Sequence, residues 1–191
     1  MKPERAEMSS DEGALLQVMA MPNVPAQVKF LLAELDEHSS EKKLPRIALN
    51  ALNDKTDYSM LWPKFAVWML GDKKHGLINL PVTRKAKQAI NEASDVYEMW
   101  VSSGARPVQA EWNSAGMNTY AVAHSRRAWV KNPTTYNASF AAHRAIYAAH
   151  ENYESDAAEA AYYAAAANSF DKSHGDAMCD QLIRLMNPEK Q

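Results

Sequence analysis

An all-α fold, a helical bundle of about seven or eight helices, is what this sequence predicts, and three observations predict it. The first is the stretch Thr134 to Ala167, with fourteen alanines, five tyrosines and neither glycine nor proline. Alanine is the best helix former and glycine and proline are the worst, so this is a helix composition. The second is the scarcity of alternating Val/Ile/Thr runs bounded by turn residues, the mark of strands. The best strand candidate, Gly76 to Leu80, is short and stops at Pro81, and reads as a loop or an isolated strand. The third is punctuation: prolines, glycines and short polar residues fall where helices would start and stop.

Taken in order, the first helix follows Ser9 and Ser10, with Asp11 and Glu12 at its positive end, and stops near Met21-Pro22. Pro25 suits a first helical turn, and Val28, Leu31, Leu32 and Leu35 continue at helical spacing to about His38. Ser39 to Lys43 is a polar connector. Pro45 opens a helix carrying Ile47, Ala48, Ala51 and Leu52. Asp57 to Leu70 is crowded with bulky apolar groups, Trp62, Phe65 and Trp68 among them, with Pro63 early in the helix, and reads as the anchor of the N-terminal half. Gly71 to Gly76 is a polar loop. Thr83 caps a helix to about Ser102, Gly104 ends it, and Pro107 starts the next, which bears Trp112, Tyr120, His124, Arg126, Arg127 and Trp129 up to Asn132-Pro133. A break or kink is expected at Asn152 to Asp156, with Ser155 as N-cap. A small-residue helix then runs from Ala157 to Phe170, and Ser173 caps a last helix ending at Asn187-Pro188.

On a helix from Thr134 to Glu151, Tyr136, Phe140, His143, Tyr147 and His150 form one stripe, and six alanines lie opposite. Small side chains let a neighbouring helix approach closely, so this helix should be buried on two faces in the middle of the bundle. Alanine makes up 12 of the first 105 residues and 20 of the last 86. The shift is read as a boundary between an N-terminal helical subdomain, 1–105, and an alanine-rich one, 106–191.

The 191 residues, 47% apolar and 23% charged, suit a soluble globular protein with a core of its own. A net charge of -2 is neither basic enough to make nucleic acid the default partner nor acidic enough to mimic it. One cysteine, Cys179, leaves no disulfide framework and no cysteine-based zinc site. The charged N-terminus is unlike a signal peptide and no window is long and apolar enough to span a bilayer, so a cytoplasmic protein with no membrane association is expected.

Signatures of chemistry are scarce. The chain has no phosphate-binding loop, no Gly-x-Gly-x-x-Gly, no Gly-x-Ser-x-Gly and no His-Glu-x-x-His. His143 and His150 lie two helical turns apart, about 10 Å along the axis, too far to share one metal ion. The expectation is therefore no catalytic residue, no metal and no cofactor. Two alternatives stay open: an enzyme using His124, His143 or His150 with a nearby acid, with or without a metal ion, and nucleic-acid binding through Lys73, Lys74, Arg84, Lys85, Lys87, Arg126 and Arg127. Five tryptophans and eight tyrosines are many for this length, and such residues dominate interface energies. Trp112, Tyr120, His124, Arg126, Arg127, Lys73 and Lys74 are the candidate binding residues.

The run Ala141-Ala142-His143 through Ala148-Ala149-His150 to Ala157-Ala158-Glu159-Ala160-Ala161-Tyr162-Tyr163-Ala164-Ala165 resembles the alanine-rich immunity-protein family of bacteria and phages. Upstream, Ala89-Ile90, Trp100-Val101 and Gly104 are similar to its Ala-Ile, Trp and Gly pattern, and Gln181 to Met186 to its terminal helix. The resemblance covers residues 84–187; the family's Arg-Pro before Ala-Ile is missing. It implies a helical protein that neutralises a host defence or toxin protein by direct contact, and it brings no catalytic residues.

Overall fold

The computed structural model describes residues 10–39, 43–53, 55–125, 131–149 and 153–187. Among these there are nine α-helices and no strand. They are α1 (Ser10–Ala20), α2 (Ala26–His38), α3 (Leu44–Ala51), α4 (Leu61–Gly71), α5 (Arg84–Ser103), α6 (Gln109–Ala123), α7 (Pro133–Ala148), α8 (Asp156–Ala167) and α9 (Lys172–Met186). The count is slightly above the expected seven or eight. The short strand candidate is instead a 3-10 turn over Leu77–Asn79. None of these helices is long and apolar enough to cross a membrane.

Local chemistry explains most helix ends. The Thr83 hydroxyl accepts the Ala86 N–H at 3.3 Å and starts α5. Gly104 ends α5 with φ of 70°, a left-handed conformation that costs glycine little. The Asn132 carboxamide accepts the Thr135 N–H at 2.8 Å, and Pro133 sits in the first turn of α7. Three ends differ from the sequence reading. Helix α6 stops at Ala123, with His124 as its C-cap, so it does not run to Lys131. Helix α8 stops at Ala167: Ser169 and Phe170 both have positive φ, and the Phe170 N–H reaches back to the Ala165 carbonyl at 2.8 Å, closing the helix as glycine usually does. The cap of α9 is Asp171 rather than Ser173; its carboxylate accepts both the Ser173 N–H (3.0 Å) and the Ser173 hydroxyl (2.8 Å).

Helix α7 packs against α5, α6 and α8, and is the middle element its composition foretold. Its Ala138, Ala141, Ala142, Ala145 and Ala148 are fully buried, as are Ala157, Ala160, Ala161 and Ala164 of α8. Helix α8 also packs on α2, α4 on α5, α1 on α3, and α9 on α2, α3 and α4. One buried apolar cluster runs through residues on both sides of position 105, from Val18 and Leu31 through Trp62 and Ile90 to Ile146 and Leu182.

A buried hydrogen-bond chain ties three helices together. The Trp62 indole N–H of α4 donates to the Tyr97 hydroxyl of α5 at 3.0 Å, and that hydroxyl donates to the Ala145 carbonyl of α7. Desolvation drives the Tyr97 phenol pKa far above its ordinary value, so it stays a donor. Removing the hydroxyl strands the indole N–H and frees the carbonyl in an apolar interior. Tyr97→Phe is therefore expected to lower stability by about 2 kcal/mol, measured by urea unfolding. An unchanged midpoint would show that the chain is not stabilising.

Candidate functional site

A groove of about 1080 Å³ lies between α6 and α7. Its walls follow from helix periodicity. Gln109, Trp112, Asn113, Gly116, Met117 and Tyr120 recur at three- and four-residue steps, so they form one stripe along α6. Helix α7 contributes His143, Ile146 and Tyr147, and the segment before α8 contributes Tyr153. Trp112 and Ile146 are buried and form the floor with His143. The lip is exposed and bulky: Met117 is 68% exposed, Tyr153 51%, Tyr120 50% and Tyr147 39%. Gly116 sets the approach of the two helices, because a Cβ there would lie only 3.3 Å from the Ile146 side chain. Arg106, ahead of α6, also lines the groove and has no ion-pair partner among the described residues.

Rings continue beyond the groove. Tyr120 lies 4.0 Å from His124 and 5.3 Å from His143, centroid to centroid. His124 in turn meets Phe140 at 5.0 Å, and Phe140 meets Tyr163 of α8 at 5.0 Å. The α7 stripe is half-buried at Tyr136, buried at Phe140 and His143, and opens to solvent at Tyr147.

His143 is the only described histidine in the groove lining. Its Nδ1 stands 3.4 Å from the Thr119 hydroxyl. Burial holds its pKa down at about 4; the Gly116 carbonyl opposes this, and the charges of Arg144 and His124 add to it. The ring is neutral at neutral pH. The Thr119 hydroxyl is fully buried and lies 3.0 Å from both the Ala115 and the Gly116 carbonyl, so it turns back to its own helix and away from any bound molecule. The acids that could have oriented a histidine are engaged elsewhere. Arg144 holds Asp156 at 2.9 Å and Glu159 at 2.9 Å. Burial raises the Asp156 pKa, against the pull of Arg144. Among the described residues, no group of three or more His, Cys, Asp or Glu side chains is arranged to hold a metal ion.

The structure gathers some of the sequence candidates and separates others. Trp112 and Tyr120 line the groove. His124 is exposed and stacks beside Tyr120 at its edge. Arg126 and Arg127 lie outside the described residues, as does His150. Lys73 and Lys74 are exposed on the loop after α4 and take no part in the groove. Lys74 instead lines a polar hollow of about 270 Å³ with His75, Asp171 and His174, which joins the 71–76 loop to the start of α9. Arg106, Met117, Tyr147 and Tyr153 were not singled out as binding residues from sequence. The step pattern 109, 112, 116, 120 was the available signal.

No protein-family model, curated protein or solved structure matches the chain.

Proposed function

We propose that this is a non-enzymatic binding protein that engages a protein partner through the α6–α7 groove, in the manner of an inhibitor or immunity protein that neutralises a defence or toxin protein. The observation that carries the reading is the groove itself: a buried floor of Trp112, Ile146 and neutral His143 beneath a lip of exposed Met117, Tyr120, Tyr147 and Tyr153. Large aromatic side chains and methionine are the groups that supply contact energy at interfaces. All of these residues fall within the 84–187 segment that resembles the immunity-protein family, which supports the inhibitor reading.

The test compares partner capture by the wild-type chain with capture by a Met117→Glu/Tyr147→Ala double variant of equal melting temperature. The host lysate protein retained by the wild type is expected to bind the double variant at least about tenfold more weakly, as loss of interface anchors does. A Lys73→Ala/Lys74→Ala variant should bind it as the wild type does. A partner held equally by the groove variant would refute the assignment.

A further inference from the structure

The shape and charge of the groove narrow the kind of partner segment it accepts, and this step rests on the groove being the binding site. The α6 stripe runs from Gln109 to Tyr120, about 16 Å at 1.5 Å per residue. That matches the length of a second helix of about three turns. The cavity of about 1080 Å³ is above the usual range for a small molecule, and its lip is open to solvent. A groove walled by two helices over an apolar floor is the setting in which an amphipathic helix lays down anchors at three- and four-residue steps.

Charge fixes the rest. The one charged group among the described lining residues, apart from the titratable His143, is Arg106. It stands just before α6, whose N-terminus carries partial positive charge of its own. The nearby Glu111 carboxylate is turned to the Val108 N–H at 2.9 Å, which it caps. It offsets part of the helix-end charge, and no ion pair joins it to Arg106. A guanidinium with no ion-pair partner among the described residues, beside an apolar trough, complements a carboxylate, which it binds with two N–H groups at once.

We infer that the groove takes an amphipathic helix of about three turns from a protein partner, with apolar side chains every three or four residues and an aspartate or glutamate at the end that meets Arg106. The carboxylate would set the direction in which the helix lies, and the apolar stripe would supply most of the binding energy.

The experiment displays two libraries of short helical peptides against the full-length chain. Both randomise apolar residues along one face. One carries glutamates at a single end and the other lysines at that end, with the charged end placed N-terminal in half of each library and C-terminal in the other half. The glutamate library should be enriched, and its selected peptides should bind at least fivefold more tightly than their lysine-ended counterparts. Arg106→Glu, checked for unchanged melting temperature, should reverse that preference. Equal enrichment of both libraries, or a preference that Arg106→Glu leaves intact, overturns the carboxylate assignment while the groove remains a binding site. No enrichment above that on the Met117→Glu/Tyr147→Ala variant overturns the helix inference, whereas the groove reading is overturned only by a captured partner that this variant holds as tightly as the wild type does.

Discussion

Ala161→Leu is expected to destabilise the protein by about 3 kcal/mol, the high end of the usual cost of overpacking a filled core. Ala161 is fully buried on α8, which is clasped between α7 and α2. Both α7 and α8 present fully buried alanines. Where side chains are this small, the backbones themselves are close, and three extra carbons have nowhere to go without moving a helix. Ala158 on the same helix is only half-buried, so Ala158→Leu should cost under about 1 kcal/mol. Urea unfolding of the two variants separates a tight interface from a generally helix-friendly composition. If both tolerate leucine equally, the alanines serve propensity and not proximity.

Acidification should unfold the protein by way of His143. Its folded pKa of about 4 lies below the ordinary 6.5, so the unfolded chain binds the proton more readily. Stability from this group is complete above about pH 6.5 and is lost progressively as pH falls towards 4. Integrated down to pH 4.5, the loss is about 2–3 kcal/mol. His174, also lowered by burial first and by the nearby His75 charge second, acts in the same direction. The lowered carboxyls Asp57, Asp72 and Asp171 lose their contribution only below the ordinary 3.8, under this window. Asp156, raised, opposes the trend near its acid end. His143→Gln keeps a neutral polar group in place and should remove half or more of the drop between pH 7 and 4.5. Parallel stability profiles for wild type and variant would assign the acid sensitivity to other groups.

Much of the helix layout was legible because it depends on single residues and their immediate neighbours. Pro25, Pro45 and Pro133 cannot continue a preceding helix, and Gly104 accepts the backbone angle that stops one. The central place of α7 was legible too, because a face of alanines opposite a face of rings suits a helix covered on both sides. Competition between near neighbours was harder: Asp171 and Ser173 can both cap α9, and only the geometry of the α8–α9 turn decides for Asp171. The groove was hardest. Trp112, Met117 and Tyr120 have the spacing of a core stripe, and whether such a stripe is covered or open depends on which helix lies beside it. Here Ile146 and Tyr147 arrive from a helix some thirty residues away. Arg106 gave no sign at all, since a lone arginine before Pro107 looks like any loop residue.

The seat of α9 bears on how the chain finds its structure. The last helix fits among α2, α3 and α4, and α8 rests on α2. The early helices therefore cannot finish covering their apolar sides until segments well over a hundred residues later have come back to meet them. Most helical proteins fold quickly because their partners are neighbours in sequence; long-range closure slows the search. This chain should fold more slowly than an up-and-down bundle of its size, with the surfaces of α2 and α4 exposed longest on the way.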